Sequence, residues 1–173
     1  YLDGTLYSSH RLLVPVYRRA LLRLAAGGGP VFPVPTRERI QAELGRPVRT
    51  ILENLFPGIE PAWRDRLSDG VLREFLARIR ARGGRLYPGA ERLLEEARRA
   101  GARLGLVSNG RRRYVRAILR AYRLSRRFAV ILTPEDRPGG SKGDLLKAAL
   151  RALRVRPGAA WMAGDRRSDR DAA

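Results

Sequence analysis

Residues 102–110 read ARLGLVSNG, an apolar run from Leu104 to Val107 that stops on Ser108, Asn109 and Gly110. The run reads as an apolar strand, and the Ser-Asn-Gly that follows as the polar turn it runs into. Helical patterns flank it on both sides. ERLLEEARRAG (91–101) is amphipathic with Gly101 as its C-terminal stop, and RRRYVRAILRAY (111–122) is helical again. Further along, FAVILTPED (128–136) reads as strand then loop, SKGDLLKAALRAL (141–153) as helix and AAWMAGD (159–165) as strand. Strands alternating with helices of about 10–15 residues predict right-handed βαβ units and a parallel sheet covered by helices. In such a sheet, ligands bind at the C-terminal ends of the strands.

The block from Arg11 to Arg82 has a different character. Leu13, Val16, Tyr17, Ala20, Leu21 and Leu24 recur at spacings of three and four, which places them on one helix face. GGGPVFPVP (27–35) interrupts the pattern, and Thr36 is a candidate N-cap for a second helix carrying Ile40 and Leu44. Apolar spacing resumes at Val48, Ile51, Leu52 and Leu55. After Pro57 and Pro61 a last stripe of Leu67, Val71, Leu72, Phe75, Leu76 and Ile79 runs up to Gly83-Gly84. The expected organisation is a core segment 1–10, an all-helical unit 11–82 and a core segment 83–173.

Composition narrows the function classes. No run of about 18 apolar residues is present, so no membrane-spanning helix is expected. The absence of Cys excludes disulfides, thiolate metal sites and a Cys nucleophile, and a cytoplasmic setting is the default expectation. The formal charge of +19 raises a nucleic-acid reading. Its distribution speaks against one. Of 36 cationic residues only Lys142 and Lys147 are Lys, and the Arg residues are scattered in runs no longer than RRR at 111–113. Solvated helix faces account for that pattern.

Polar residues collect where the strands end. Ser108 and Asn109 follow one strand, Asp165 follows another, Asp3 lies in the opening Asp-Gly-Thr turn and Lys142 begins the helix before the last strand. Singly, each has a plain structural explanation as a turn residue, a cap or a surface charge. Together they form a coherent set. Carboxylates at two strand ends can share Mg2+, which prefers oxygen ligands. A Ser hydroxyl, amides at a helix start and a Lys can hold phosphoryl oxygens.

With these stretches in view, the chain resembles the haloacid dehalogenase superfamily of phosphohydrolases. LDGTLYSS (2–9), LGLVSNG (104–110), SKGDLL (141–146) and MAGDRRSDRDAA (162–173) match that family's four motifs in order. LYPGAERLLEEARRAGARLGLVSNG (86–110) is most similar to the phosphoglycolate phosphatase branch. The resemblance implies an α/β fold, a three-layer Rossmann-like parallel-sheet core with residues 11–82 as an inserted all-helical cap domain. It implies a Mg2+-dependent phosphatase of small phosphorylated metabolites working through an aspartyl-phosphate. Asp3 would be the general acid and then the general base, and its backbone carbonyl would bind Mg2+. Asp165 would be a carboxylate ligand, Asp169 a ligand or an orienting partner, and Ser108, Asn109 and Lys142 would grip the phosphoryl group.

The family's nucleophile lies two residues before Asp3, where this chain has Tyr1. A phenol, with an ordinary pKa near 10, is a poor substitute for a carboxylate as attacking group and metal ligand. The chain as written is therefore expected not to complete the reaction. It reads either as a fragment truncated at both ends or as a phosphate-binding pseudoenzyme of the same fold. A basic nucleic-acid-binding protein is the remaining alternative. A fragment lacking the strand before the first motif would be marginally stable by itself. Relatives often carry Asp where Ser8 stands, a second departure. Cap residues select substrates in this family, and nothing in 11–82 names one; oligomeric state is equally unreadable.

Overall fold

The apolar stripes of the helical block close on one another in the computed structural model, which describes residues 2–173. The chain divides into two compact units, residues 9–84 and residues up to Ser8 together with 85–173.

The first of these is all helical. Helices α1 (Leu13–Ala26), α2 (Arg37–Glu43), α3 (Val48–Leu55) and α4 (Pro61–Arg80) follow in order. All six stripe residues of α1, from Leu13 to Leu24, are buried. Helix α4 opens with Pro61 in its first turn, where the missing amide costs nothing, and buries Leu67, Val71, Leu72, Leu76 and Ile79. Helices α1 and α4 pack closely where Gly70 faces Ala20, whose Cβ lies 3.6 Å from where a Gly70 Cβ would stand. A buried polar clamp crosses the same seam. Glu74, 6% exposed, accepts from Arg23 at 2.7 Å and from Arg78 one turn along α4. The rings of Tyr17, Phe56 and Phe32 form an adjoining aromatic layer, with centroids 6.3 and 5.1 Å apart.

At α2 one expectation is met and one is not. Thr36 caps α2, its hydroxyl accepting the Arg39 amide at 3.3 Å. Leu44, expected on that helix, lies beyond its end. The helix stops at Glu43, and Leu44 turns to extended backbone with φ −56° and ψ 140°, because Gly45 and Pro47 follow at once.

The second unit holds two two-stranded sheets. Strand β1 (Tyr7–Ser8) pairs antiparallel with β2 (Arg85–Leu86), and β3 (Gly105–Val107) runs parallel to β4 (Val130–Leu132). Helices α5 (Ala90–Arg99), α6 (Arg112–Ala121), α7 (Lys142–Leu153) and α8 (Arg167–Ala172) complete it. Helix α6 is the crossover between the parallel strands, as a βαβ unit requires. Val107, Leu145 and Ala149 form a buried cluster with Val130 and Leu132 against it, which fixes α7 on the sheet. A capping box starts α7. The Ser141 hydroxyl accepts the Asp144 amide at 3.2 Å, and the Asp144 carboxylate accepts the Ser141 amide at 2.9 Å.

The fold is the expected α/β class with an inserted helical unit, but AAWMAGD does not form a strand. Residues 157–159 are a short 3-10 turn, and 160–164 form no ladder among the described residues although Ala160 has extended dihedrals. A strand exists through its pairing. The segment at 2–7 coils instead of lying alongside, since the Leu2 carbonyl accepts the amides of Thr5, Leu6 and Tyr7 at 3.3, 2.8 and 2.9 Å. Trp161 is left fully exposed. Among the described residues no helix is long and apolar enough to cross a membrane.

Candidate active site

The coil at residues 2–7 is built around Gly4, whose φ of +89° lies in the left-handed region. Its amide donates to the Tyr7 carbonyl at 2.9 Å, which closes the turn and presents Asp3 and Thr5 on either side. The turn needs glycine for a second reason. A Cβ there would stand 2.2 Å from Oδ2 of Asp165, so the backbone lies directly against that carboxylate. The Thr5 hydroxyl then donates to Asp165 Oδ1 at 2.8 Å. Two loops more than 150 residues apart in sequence are thereby bonded, and Asp3 and Asp165 stand on neighbouring backbone.

The loop carrying Asp165 is held from behind by Asp169, 3% exposed at the start of α8. One of its carboxylate oxygens accepts the amides of Asp165 and Arg166 at 3.0 and 3.1 Å, and the other is paired with Lys142. Gly164 leaves room for this. A Cβ at Gly164 would meet the same carboxylate oxygen at 2.4 Å. The pair is deeply placed, with side-chain exposures of 10% for Lys142 and 4% for Asp169. Of the two roles open to Asp169, the structure gives it the partners of an orienting group: both of its oxygens already hold donors.

Ser108 ends β3, its amide donating to the Leu132 carbonyl at 3.0 Å, and its hydroxyl accepts the Gly110 amide at 3.1 Å. Asn109 follows, half-buried, and α6 begins just beyond. The start of α6 is tied to the end of β4. The Glu135 carboxylate accepts the Arg112 amide at 2.9 Å, and the Arg112 guanidinium donates to Asp136 at 2.8 Å. Burial opposes the ionised form of Glu135, but hydrogen bonds led by the Arg112 amide outweigh it and hold the carboxyl below its usual range.

Two contacts that the sequence did not disclose join these parts. Tyr114, on α6, donates its hydroxyl to Asp3 Oδ2 at 2.6 Å. Thr5 makes the bond to Asp165 just described. Thr5 had a signal, its place beside Asp3 in the Asp-Gly-Thr turn. Tyr114 had a weaker one, lying four residues after Gly110 and so near it on the helix. Tyr7, fully buried, contributes a third wall: burial, then Tyr122 and then the Asp3 carboxylate push its phenol well above the ordinary tyrosine value. The Tyr7 and Tyr122 rings meet with centroids 5.6 Å apart.

Hydrogen bonds thus join Ser108 to Gly110, Tyr114 to Asp3, and Thr5 through Asp165 and Asp169 to Lys142, with the Gly4 turn carrying Asp3 and Thr5 together. Tyr1, the expected nucleophile position, lies outside the described residues. Among the described residues no three acidic or imidazole side chains converge as a metal cluster. The hard oxygens on offer are the Asp165 carboxylate and the carbonyl and carboxylate of Asp3. Both Asp165 oxygens already hold donors, Thr5 on Oδ1 and the Arg166 guanidinium on Oδ2 at 3.1 Å, so a divalent cation that prefers oxygen would bind there in exchange for Arg166.

Comparison with known proteins shows the family and the fold. The model of the haloacid dehalogenase-like hydrolases matches residues 2–173. The tyrosine-protein kinase PtkA of Mycobacterium tuberculosis is 32% identical over 176 residues, covering 99% of this chain and 56% of PtkA. The chain therefore spans about half the length of the curated relatives it matches. Among solved structures, a provisionally assigned phosphoglycolate phosphatase from Lactobacillus plantarum superposes with a TM-score of 0.78 at 27% identity, over 99% of this chain and 77% of that one. CbbY from Rhodobacter sphaeroides, in complex with phosphate, gives a TM-score of 0.71 at 25% identity, over 91% and 72%.

Proposed function

We propose, on the premise that this chain belongs to the haloacid dehalogenase-like hydrolase family, that it is a phosphoryl-transfer domain for small phosphate monoesters of the phosphoglycolate or sugar-phosphate type. The observation that carries this reading is the bond from Thr5 to Asp165, which holds the Asp3 turn against the Asp165 loop. A carboxylic acid and a metal-binding carboxylate on adjoining loops are what ester cleavage at phosphorus needs.

In this reading Asp3 protonates the departing alcohol oxygen and then takes a proton from the attacking water. The Ser108 hydroxyl and the amides at the turn into α6 donate hydrogen bonds to the phosphoryl oxygens, with Asn109 beside them. Lys142 brings one positive charge to that side, and Asp169 fixes both its ammonium and the amides of Asp165 and Arg166. The Asp165 carboxylate and the Asp3 carbonyl would hold Mg2+, which when bound neutralises charge on the phosphoryl oxygens. The helical unit would select the ester, in a cytoplasmic setting.

Position 1 carries a phenol where the reaction wants a carboxylate nucleophile. The chain as given therefore binds phosphate esters without turning them over, and Tyr1→Asp creates turnover. The test is hydrolysis of a panel of phosphate esters with Mg2+ by both proteins. Turnover appearing only with Tyr1→Asp supports the reading. Turnover by neither, with no protection of the fold by phosphate esters, removes it.

A second reading has its own observation. Identity to the tyrosine-protein kinase PtkA is 32% across nearly the whole chain, against 27% for the phosphoglycolate phosphatase-like structure. Both reactions use the same in-line transfer, differing in whether water or a tyrosine hydroxyl receives the group. Transfer of the ATP γ-phosphoryl group to a tyrosine peptide, without ester hydrolysis, would favour this alternative.

A further inference from the structure

Tyr114, outside the four motifs, bonds to the acid and base assigned above, and no part of the proposed reaction has used it. We propose that Tyr114 is a positioning residue that fixes the orientation of the Asp3 carboxylate for proton transfer to the leaving oxygen. The inference rests on the reading of Asp3 as general acid and base.

The geometry carries it in three steps. The Tyr114 hydroxyl donates to Asp3 Oδ2 at 2.6 Å, the short distance of an O–H bonded to a carboxylate. With one oxygen so held, the carboxylate cannot rotate about its Cβ–Cγ bond without giving up a charge-assisted hydrogen bond. The ring itself is seated. A Cβ at Gly110 would stand 3.3 Å from Tyr114 Cδ1 and 3.3 Å from the Ser108 hydroxyl oxygen, so the absence of a side chain there makes space for both. The same glycine's amide donates to that hydroxyl. Finally, the helix bearing the ring is anchored two residues away by Arg112, through Glu135 and Asp136. The phenol therefore hangs from a fixed frame that also sets Ser108, which ties the orientation of the acid to the place where phosphoryl oxygens would be held.

A residue that orients a general acid matters in proportion to how much the leaving group needs the proton. An alkoxide leaves poorly without protonation, whereas a nitrophenolate departs unaided. Tyr114→Phe, which keeps the ring and removes the hydroxyl, should discriminate between the two.

The experiment compares Tyr1→Asp with Tyr1→Asp/Tyr114→Phe on an alkyl phosphate and on p-nitrophenyl phosphate with Mg2+. The expected result is a fall in kcat/KM, which reports the step in which the alcohol or phenol leaves, of about tenfold or more for the alkyl ester and at most about threefold for the aryl ester. Equal losses on both esters, or no loss on either, overturn the proposal. If Tyr1→Asp hydrolyses neither ester, the phosphatase reading fails by itself, and the orientation of Asp3 decides the rest. Crystal structures of the unaltered chain and of Tyr114→Phe then give the answer. A rotated or divided Asp3 carboxylate in the variant upholds positioning by Tyr114, and an unmoved one overturns it.

Discussion

The helical unit at 9–84 and the loops at 2–8 and 164–169 are held by different kinds of force. In the helical unit the buried faces of α1 and α4 are stripes of Leu, Val and Ile. Each side chain contributes its own burial, and losing one leaves a cavity whose cost is local. The loops bury Leu2, Leu6 and Tyr7 of their own, but their chemistry-bearing residues are placed by a different set of contacts. They hang on Asp169, Thr5 and Tyr114, side chains that bond to backbone or to one another. Removing one partner there leaves the others short of a hydrogen bond, at greatest cost for the deeply placed Lys142–Asp169 pair. The difference teaches that the helical unit is robust to substitution in small steps, and that the loops carrying the chemistry depend on a few irreplaceable polar contacts.

That contrast is most exposed at Asp169. Its replacement by Ala strands the Lys142 ammonium and the amides of Asp165 and Arg166, and we expect a loss of about 3–5 kcal/mol in chemical denaturation. A loss under about 1 kcal/mol would mean that packing, not the carboxylate, holds the loop. Ile79→Ala, at a fully buried position of α4, should cost about 3 kcal/mol by transfer and cavity terms, read by hydrogen exchange in residues 9–84. Gly4→Ala should cost about 2 kcal/mol, because φ of +89° is strained for Ala and its methyl would drive Asp165 aside. Thr36→Ala, which removes a single cap from α2, should cost about 1 kcal/mol. A larger penalty at Thr36 than at Gly4 would reverse the comparison.

The smallest effect concerns acid. The hydroxyl and then the amide of Ser141 hold the Asp144 carboxyl below its usual range. A depressed folded-state value means stability that is present above the ordinary carboxylate range and lost as pH falls through it. Asp144→Asn should flatten the acid limb of the stability curve, and an unchanged limb would show that the capping box contributes nothing there.

What was legible in the sequence follows from the same physics. The faces of α1, α3 and α4 were readable because burial repeats at the period of the helix, which sequence spacing records directly. Strands β3 and β4 were readable as short apolar runs ending in turn residues. Residues 160–164 have that same composition and form no ladder, because a strand is decided by its partner and not by its own residues. At the site, Asp3, Ser108, Asn109, Lys142, Asp165 and Asp169 could be singled out by their places at strand and helix ends. Their connections could not. Tyr114 reads as an ordinary helix residue until the fold brings its hydroxyl to Asp3, and Asp169 reads as ligand or orienting group alike until both of its oxygens are seen to hold donors.

The central claim is that Asp3 moves the protons of a phosphoryl transfer. The most direct measurement compares Tyr1→Asp with Tyr1→Asp/Asp3→Asn on an alkyl phosphate ester in the presence of Mg2+, following inorganic phosphate release. The account predicts turnover in the first and a loss of about a hundredfold or more in the second, with the fold intact by circular dichroism. Equal turnover in the two proteins would contradict it, since the proton would then be moving without Asp3.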